Sequence, residues 1–395
     1  MKPYTVFFEW QIVLLESLVV IGLSIFLGIL ATRVFVRHQD RMATVISFLI
    51  LCFYTKVATF FPLVPFFPDT LGFAELVESN DIHSSSLGVI LYYWVSTPLR
   101  WLSGFQIELF LYLQQCVYLL GCILIWLAWR GFRENYGATP GNYSLYLFLV
   151  LLYPSTIMFI AMPLREYLMI LGFGLFLYGL YRFQYNRSWG WLIAGGIITI
   201  MVRPQLVILY PLMMLVATQK SLFKLSLLGG LLLALLVPVF EWVTGYHFEP
   251  SFFAFLRERG TTHYAASGMT YGQVDWKTYW DILLDLPALF LQFVLSPLPV
   301  MHSVNPFQLK LMLLDVMFVM TVLAGAILCR SRASTPLIRI FIVVGVIFSI
   351  WEFYLGGAVR HRMPLVLMLL PVATAYYTYL GERIRSGFEN KYTKG

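Results

Sequence analysis

Charge is what this sequence has least of. Only 12% of its 395 residues are Asp, Glu, Lys or Arg, whereas 59% are hydrophobic, and the mean hydropathy is +0.77. So little charge cannot cover a water-facing surface, which excludes an ordinary soluble domain and makes lipid the expected solvent. Cysteine is scarce as well. Cys52, Cys116, Cys122 and Cys329 all fall inside or at the ends of apolar runs, which argues against a disulfide framework and a thiolate metal site. The histidines show neither HxxxH nor HxH spacing, so no metal site and no cofactor is expected, and a divalent ion has no ligand spacing behind it. There is no GxSxG elbow, no P-loop and no dinucleotide-type GxGxxG, so nucleotide-driven chemistry has no support. Internal repeats and low-complexity tracts are missing too, and a single integral-membrane domain over 1–395 is expected.

What the chain does have is a succession of apolar segments of about 20 residues, the length a helix needs to cross a bilayer. They fall near 11–32, 42–62, 106–129, 142–161, 167–181, 188–202, 205–218, 225–243, 308–329, 336–353 and 363–381. The fold class is therefore all-α, a polytopic transmembrane protein of about 11 spans. The first segment is followed by Arg33, Arg37 and Arg41, which reads as a retained span with its N-terminus outside and leaves the C-terminus in the cytoplasm. With that orientation every cytoplasmic connection carries at least two basic residues. The net charge of +7 thus follows membrane sidedness and does not point to nucleic acid. Outer connections near 61–104 and 244–306 hold apolar stretches broken by proline, expected as interfacial or re-entrant helices. The segments meeting at Arg203-Pro204 are short for a full crossing and read as a hairpin that stops partway.

Charge without a topological explanation collects on the outer side. Three short connections each carry arginine to that boundary: MPLREY with Arg165 and Glu166, MVRPQL with Arg203, and AVRHRMP with Arg360, His361 and Arg362. Placing charge beside the apolar layer is costly, so several at one level point to an anionic ligand, with snorkelling as the alternative for any single one. Guanidinium forks match phosphate oxygens in a bidentate way and keep their charge. Asp69, just after Pro68, is the candidate proton acceptor for a sugar hydroxyl, and capping of the following helix is its alternative role. An amphiphile with a phosphate head, a sugar and a long tail suits such a site.

In order along the chain come Pro68-Asp69, Pro163-Leu164-Arg165-Glu166, Arg203-Pro204, HYAASGMTYG (His263 to Gly272) with SPLP (Ser296 to Pro299), and RHRMP (Arg360 to Pro364). Together they resemble the integral-membrane proteins of bacterial exopolysaccharide clusters, which are similar to C-type (GT-C) glycosyltransferases and polysaccharide polymerases with undecaprenyl-linked donors. The resemblance implies Asp69 as catalytic base and His361 as phosphate donor or general acid. It implies Arg165, Glu166, Arg203, Arg360, Arg362, Tyr264 and Ser267 at the substrate. It further implies a bacterial cytoplasmic membrane, a polyprenyl-(pyro)phosphate-linked saccharide as substrate, and membrane lipids and other polysaccharide-assembly proteins as partners. Many relatives carry a second acid beside the first, where this chain has Thr70. The competing reading is a lipid-linked oligosaccharide flippase or other secondary transporter, for which Lys56, Glu108 and Asp315 are the embedded charges.

Overall fold

The computed structural model describes the chain from position 40 onward apart from 61–67, 80–86, 204–205, 207–208, 220, 245–246, 265–269, 272–273, 299–305 and 393–395, with scattered positions before 40. Among the described residues every regular element is a helix, and the one β contact is an isolated bridge between Thr270 and Tyr354. The expected span at 11–32 lies largely outside the described residues. The chain divides into two compact units, 1–204 with 370–395, and 205–369.

The first unit contains α1 (Arg41–Phe60), α2 (Pro68–Ser79), α3 (Leu87–Leu102), α4 (Ile107–Asn135), α5 (Tyr143–Leu152), α6 (Pro154–Ile160), α7 (Glu166–Asn186) and α8 (Gly190–Val202). Its core is the packing of α7 between α4 and α8. Small residues make that approach close. A Cβ on Gly121 of α4 would stand 2.7 Å from the Ile170 carbonyl of α7, so the two backbones are nearly in contact. Polar side chains inside the apolar helices are tied down locally, as where Tyr118 and Thr156 share a hydrogen bond of 2.7 Å and the Tyr146 hydroxyl donates to the Cys122 carbonyl at 2.8 Å. Such bonds are required wherever no water reaches. None of the four cysteines is in a disulfide.

The second unit contains α9 (Leu209–Thr218), α10 (Leu222–Thr244), α11 (Pro250–Tyr264), α12 (Tyr279–Leu295), α13 (Pro306–Leu328), α14 (Thr335–Trp351) and the start of α15 (Leu355–Tyr392), whose later turns belong to the first unit. Here α14 is central, with α9, α11 and α12 against it. The N-terminus of α12 is closed by a capping box in which Thr278 accepts from the Asp281 amide and Asp281 accepts from the Thr278 amide.

Among the described residues three helices are long and apolar enough to cross a membrane: Leu109–Asn135 in α4, Leu309–Leu328 in α13 and Leu355–Ser386 in α15. The α5 and α6 pair, bent by 59°, passes as a fourth broken span. Its bend has a local cause: Pro154 drives the preceding Tyr153 to φ −64°, ψ 117°, outside the helical region. Helices α8 and α9 have 13 and 10 residues, short of the roughly 20 that a full crossing needs.

Candidate functional site

In the first unit the charged residues gather where the start of α7 meets the end of α8. The turn ahead of α7 is fixed from α4, where the buried Gln114 amide donates to the carbonyls of Ile160 (2.8 Å) and Met162 (2.5 Å). That satisfies carbonyls which a helix C-terminus otherwise leaves without partners. Arg165 stands just ahead of α7 without a side-chain capping bond, and Glu166 occupies the first turn, where the helix dipole favours a carboxylate. Arg203 ends α8 in an extended conformation, φ −143° and ψ 90°, as the proline following it in the sequence demands.

Two of these side chains pair, and the third lies against the backbone beside them. Arg203 donates to Glu166 at 3.1 Å, with only 7% and 3% of the two side chains exposed. Arg165 donates to the Val202 carbonyl at 3.3 Å and lies over the Phe73 ring, 5.2 Å from its centre. Phe73 in turn packs edge-on against the fully buried Tyr92 at 5.1 Å. Through Phe73, α2 is seated beside the cluster, and α2 is the helix that begins Pro68-Asp69. Asp69 lies in its first turn, one turn ahead of Phe73. The side chains of Asp69 and Tyr264, and Ser267 altogether, lie outside the described residues.

Arg100, in the last turn of α3, is fully buried in the same unit. It donates to the Tyr93 carbonyl (3.1 Å) and the Thr97 hydroxyl (2.8 Å) and stacks over the Tyr93 ring at 3.7 Å. Carbonyl and hydroxyl dipoles and a ring face contribute to its solvation.

The second unit holds the RHR stretch on α15. Arg362 is fully buried and bonds Asp315 of α13 at 2.6 Å, together with the carbonyls of Phe293, Val294 and Ser296 at 3.3, 2.6 and 2.9 Å. Its guanidinium therefore clasps the end of α12. Arg360 is buried at 8% exposure. His361 is partly exposed and its Nδ1 is hydrogen-bonded to Glu352 Oε2. Glu352 follows α14, at a break held by Arg257, whose Nη1 donates to the carbonyls of Ser349 (3.0 Å), Ile350 (3.2 Å) and Glu352 (2.7 Å). Burial pulls Arg257 down to about 10, and the neighbouring Glu352 opposes this.

Gln114, Arg257 and Glu352 were not foreseen. Gln114, one of a pair with Gln115 in an apolar run, and Arg257, in the charged stretch Arg257-Glu258-Arg259, belong to no motif that names their partners. Glu352 carried a faint signal, as the single acid closing a hydrophobic segment ahead of Gly356-Gly357. No group of three or more His, Cys, Asp and Glu gathers among the described residues. Comparison with protein-family models, with curated proteins and with solved structures returns no match.

Proposed function

We propose that the protein is a membrane glycosyltransferase or polysaccharide polymerase. It moves a sugar or glycan from a polyprenyl-(pyro)phosphate carrier on the extracytoplasmic face of a bacterial cytoplasmic membrane, in a GT-C-like bundle of about 11 spans. The observation that supports this best is the buried Arg203–Glu166 pair with Arg165 beside it, next to the helix whose first turn carries Asp69. Charged hydrogen bonds in a water-poor setting are strong, so these arginines suit the charge that grows on a departing phosphate. As the acceptor hydroxyl attacks the anomeric carbon it must lose its proton, and Asp69 is the candidate to take it. In proteoliposomes with a synthetic polyprenyl-diphosphate oligosaccharide, Arg165→Ala should raise KM for the donor about tenfold or more, the loss of one charge-assisted bond. An unchanged KM removes Arg165 from the donor site.

A second reading, a flippase or secondary transporter, is favoured by the buried Arg362–Asp315 pair between α13 and α15. Ionisable groups inside membrane helices often mark a transport path. Against it, the pair also carries three carbonyl bonds, which suits a fixed clasp better than a group that must move.

A further inference from the structure

We infer that Glu352 is the positioning residue of a carboxylate–imidazole dyad in which His361 takes the proton of the acceptor hydroxyl. The inference rests on the glycosyl-transfer reading and moves this role from Asp69 to a residue that the sequence offered only as a phosphate donor or general acid.

The geometry starts at the break between α14 and α15. Glu352 leaves α14 in an extended conformation, φ −79° and ψ 112°, which turns its side chain back over the first turn of α15. The backbone there is fixed from outside: Arg257 grips three carbonyls, and the Tyr271 amide donates to the Phe353 carbonyl at 3.0 Å. One carboxylate oxygen, Oε1, accepts from the Tyr354 amide at 3.3 Å. The other, Oε2, meets His361 Nδ1. Gly357 is needed for this arrangement, because a Cβ at that position would overlap the Glu352 carboxylate. Gly357 is thus required by close approach, while its own backbone stays in the ordinary helical region.

His361 is held on its face as well as its edge. The Phe348 ring stacks on the imidazole at 5.4 Å and 26°. Only 5% of the Glu352 side chain is exposed, against 20% of His361, so the carboxylate is inside and the imidazole looks outward. An ionised carboxylate only accepts hydrogen bonds, so Nδ1 bears the ring proton and Nε2 presents its lone pair. A buried carboxylate that fixes the imidazole tautomer and stabilises the imidazolium is how a histidine base is prepared in acyl-transfer triads, and the physics carries over to any hydroxyl nucleophile.

The step balances as follows. The acceptor hydroxyl oxygen forms a bond to the anomeric carbon, and the bond from that carbon to the phosphate oxygen breaks. The electron pair leaves with the polyprenyl (pyro)phosphate. The hydroxyl proton passes to His361 Nε2, and the imidazolium is compensated by Glu352. Among the described residues the other charged and titratable groups around the dyad include Arg257 from α11, Tyr271 from the segment after it, and Arg360 and Arg362 on α15 itself, the last neutralised by Asp315.

The test uses the full chain in proteoliposomes with synthetic polyprenyl-diphosphate oligosaccharide as donor. His361→Ala should lose about 10²–10⁴-fold in kcat with KM little changed, and added imidazole should restore part of it. Glu352→Gln should lower kcat, and Gly357→Ala, which displaces the carboxylate, should do the same. The inference is overturned if His361→Ala turns over at the wild-type rate, or if Asp69→Asn abolishes turnover that His361→Ala retains. A second readout needs no activity. In ¹⁵N-histidine spectra of the protein in nanodiscs, His361 should be the Nδ1–H tautomer in the wild type and shift toward Nε2–H in Glu352→Gln. If the wild type transfers nothing, the transfer reading falls. The tautomer then decides the dyad alone, and an Nε2–H ring in the wild type overturns it.

Discussion

Replacing Asp315 with asparagine should be among the most damaging single changes in the second unit. The carboxylate lies 2.6 Å from Arg362 Nη2, and the two side chains are 0% and 1% exposed, so no water can take its place. Removing one member of a buried pair costs about 3–5 kcal/mol, because the partner charge is stranded. Here the guanidinium keeps three carbonyl acceptors at the end of α12, which places the cost near the lower limit, about 3 kcal/mol. That corresponds to roughly a hundredfold in the unfolding equilibrium. The assay is unfolding in mixed micelles titrated with sodium dodecyl sulfate, followed by tryptophan fluorescence. Replacing both partners, Asp315→Leu with Arg362→Met, should cost less than Asp315→Asn alone, since no charge is left behind, although the α12 carbonyls lose their donor. A loss below about 1 kcal/mol for Asp315→Asn would refute the reasoning, because a pair worth so little is solvated.

Two further perturbations probe packing and capping. Gly121→Ala should destabilise the first unit by about 1–3 kcal/mol, since the new methyl meets the Ile170 carbonyl, whereas Gly229→Ala on α10, with nothing within 4 Å, should be neutral or mildly stabilising; equal effects would contradict the close approach of α4 and α7. The exposed Asp281 carboxyl is held below its ordinary range by the Thr278 and Lys277 amides. Its folded pKa lies below the unfolded one, so its contribution is present above the ordinary value and lost as pH falls through the folded one. Hydrogen exchange corrected for intrinsic rates should therefore show the first turn of α12 opening below about pH 4, and unchanged protection there would refute the capping box as its support.

Much of the helix pattern is legible in the sequence because apolar runs of membrane length leave little choice. The expected segments at 106–129 and 308–329 correspond to α4 and α13, and the bend between α5 and α6 falls at Pro154 inside 142–161. The clearest displacement is α15. Its start was expected at 363, after Arg360, His361 and Arg362, because three basic residues look like the end of an apolar layer. The helix begins at Leu355 instead, since Arg362 is neutralised by Asp315, 47 residues away. A pattern within one segment cannot report a partner supplied by another. The same limit hid the Glu352–His361 contact. The pairing of Glu166 with Arg203, 37 residues apart, was hidden in the same way.

The proposed function stands or falls on turnover. Purified protein in proteoliposomes, given polyprenyl-diphosphate oligosaccharide on the outer face, should release the polyprenyl carrier and lengthen or transfer the glycan, with no nucleotide added. Translocation of the intact lipid-linked oligosaccharide across the bilayer, without carrier release from any donor offered, would contradict that account and establish the transporter reading in its place.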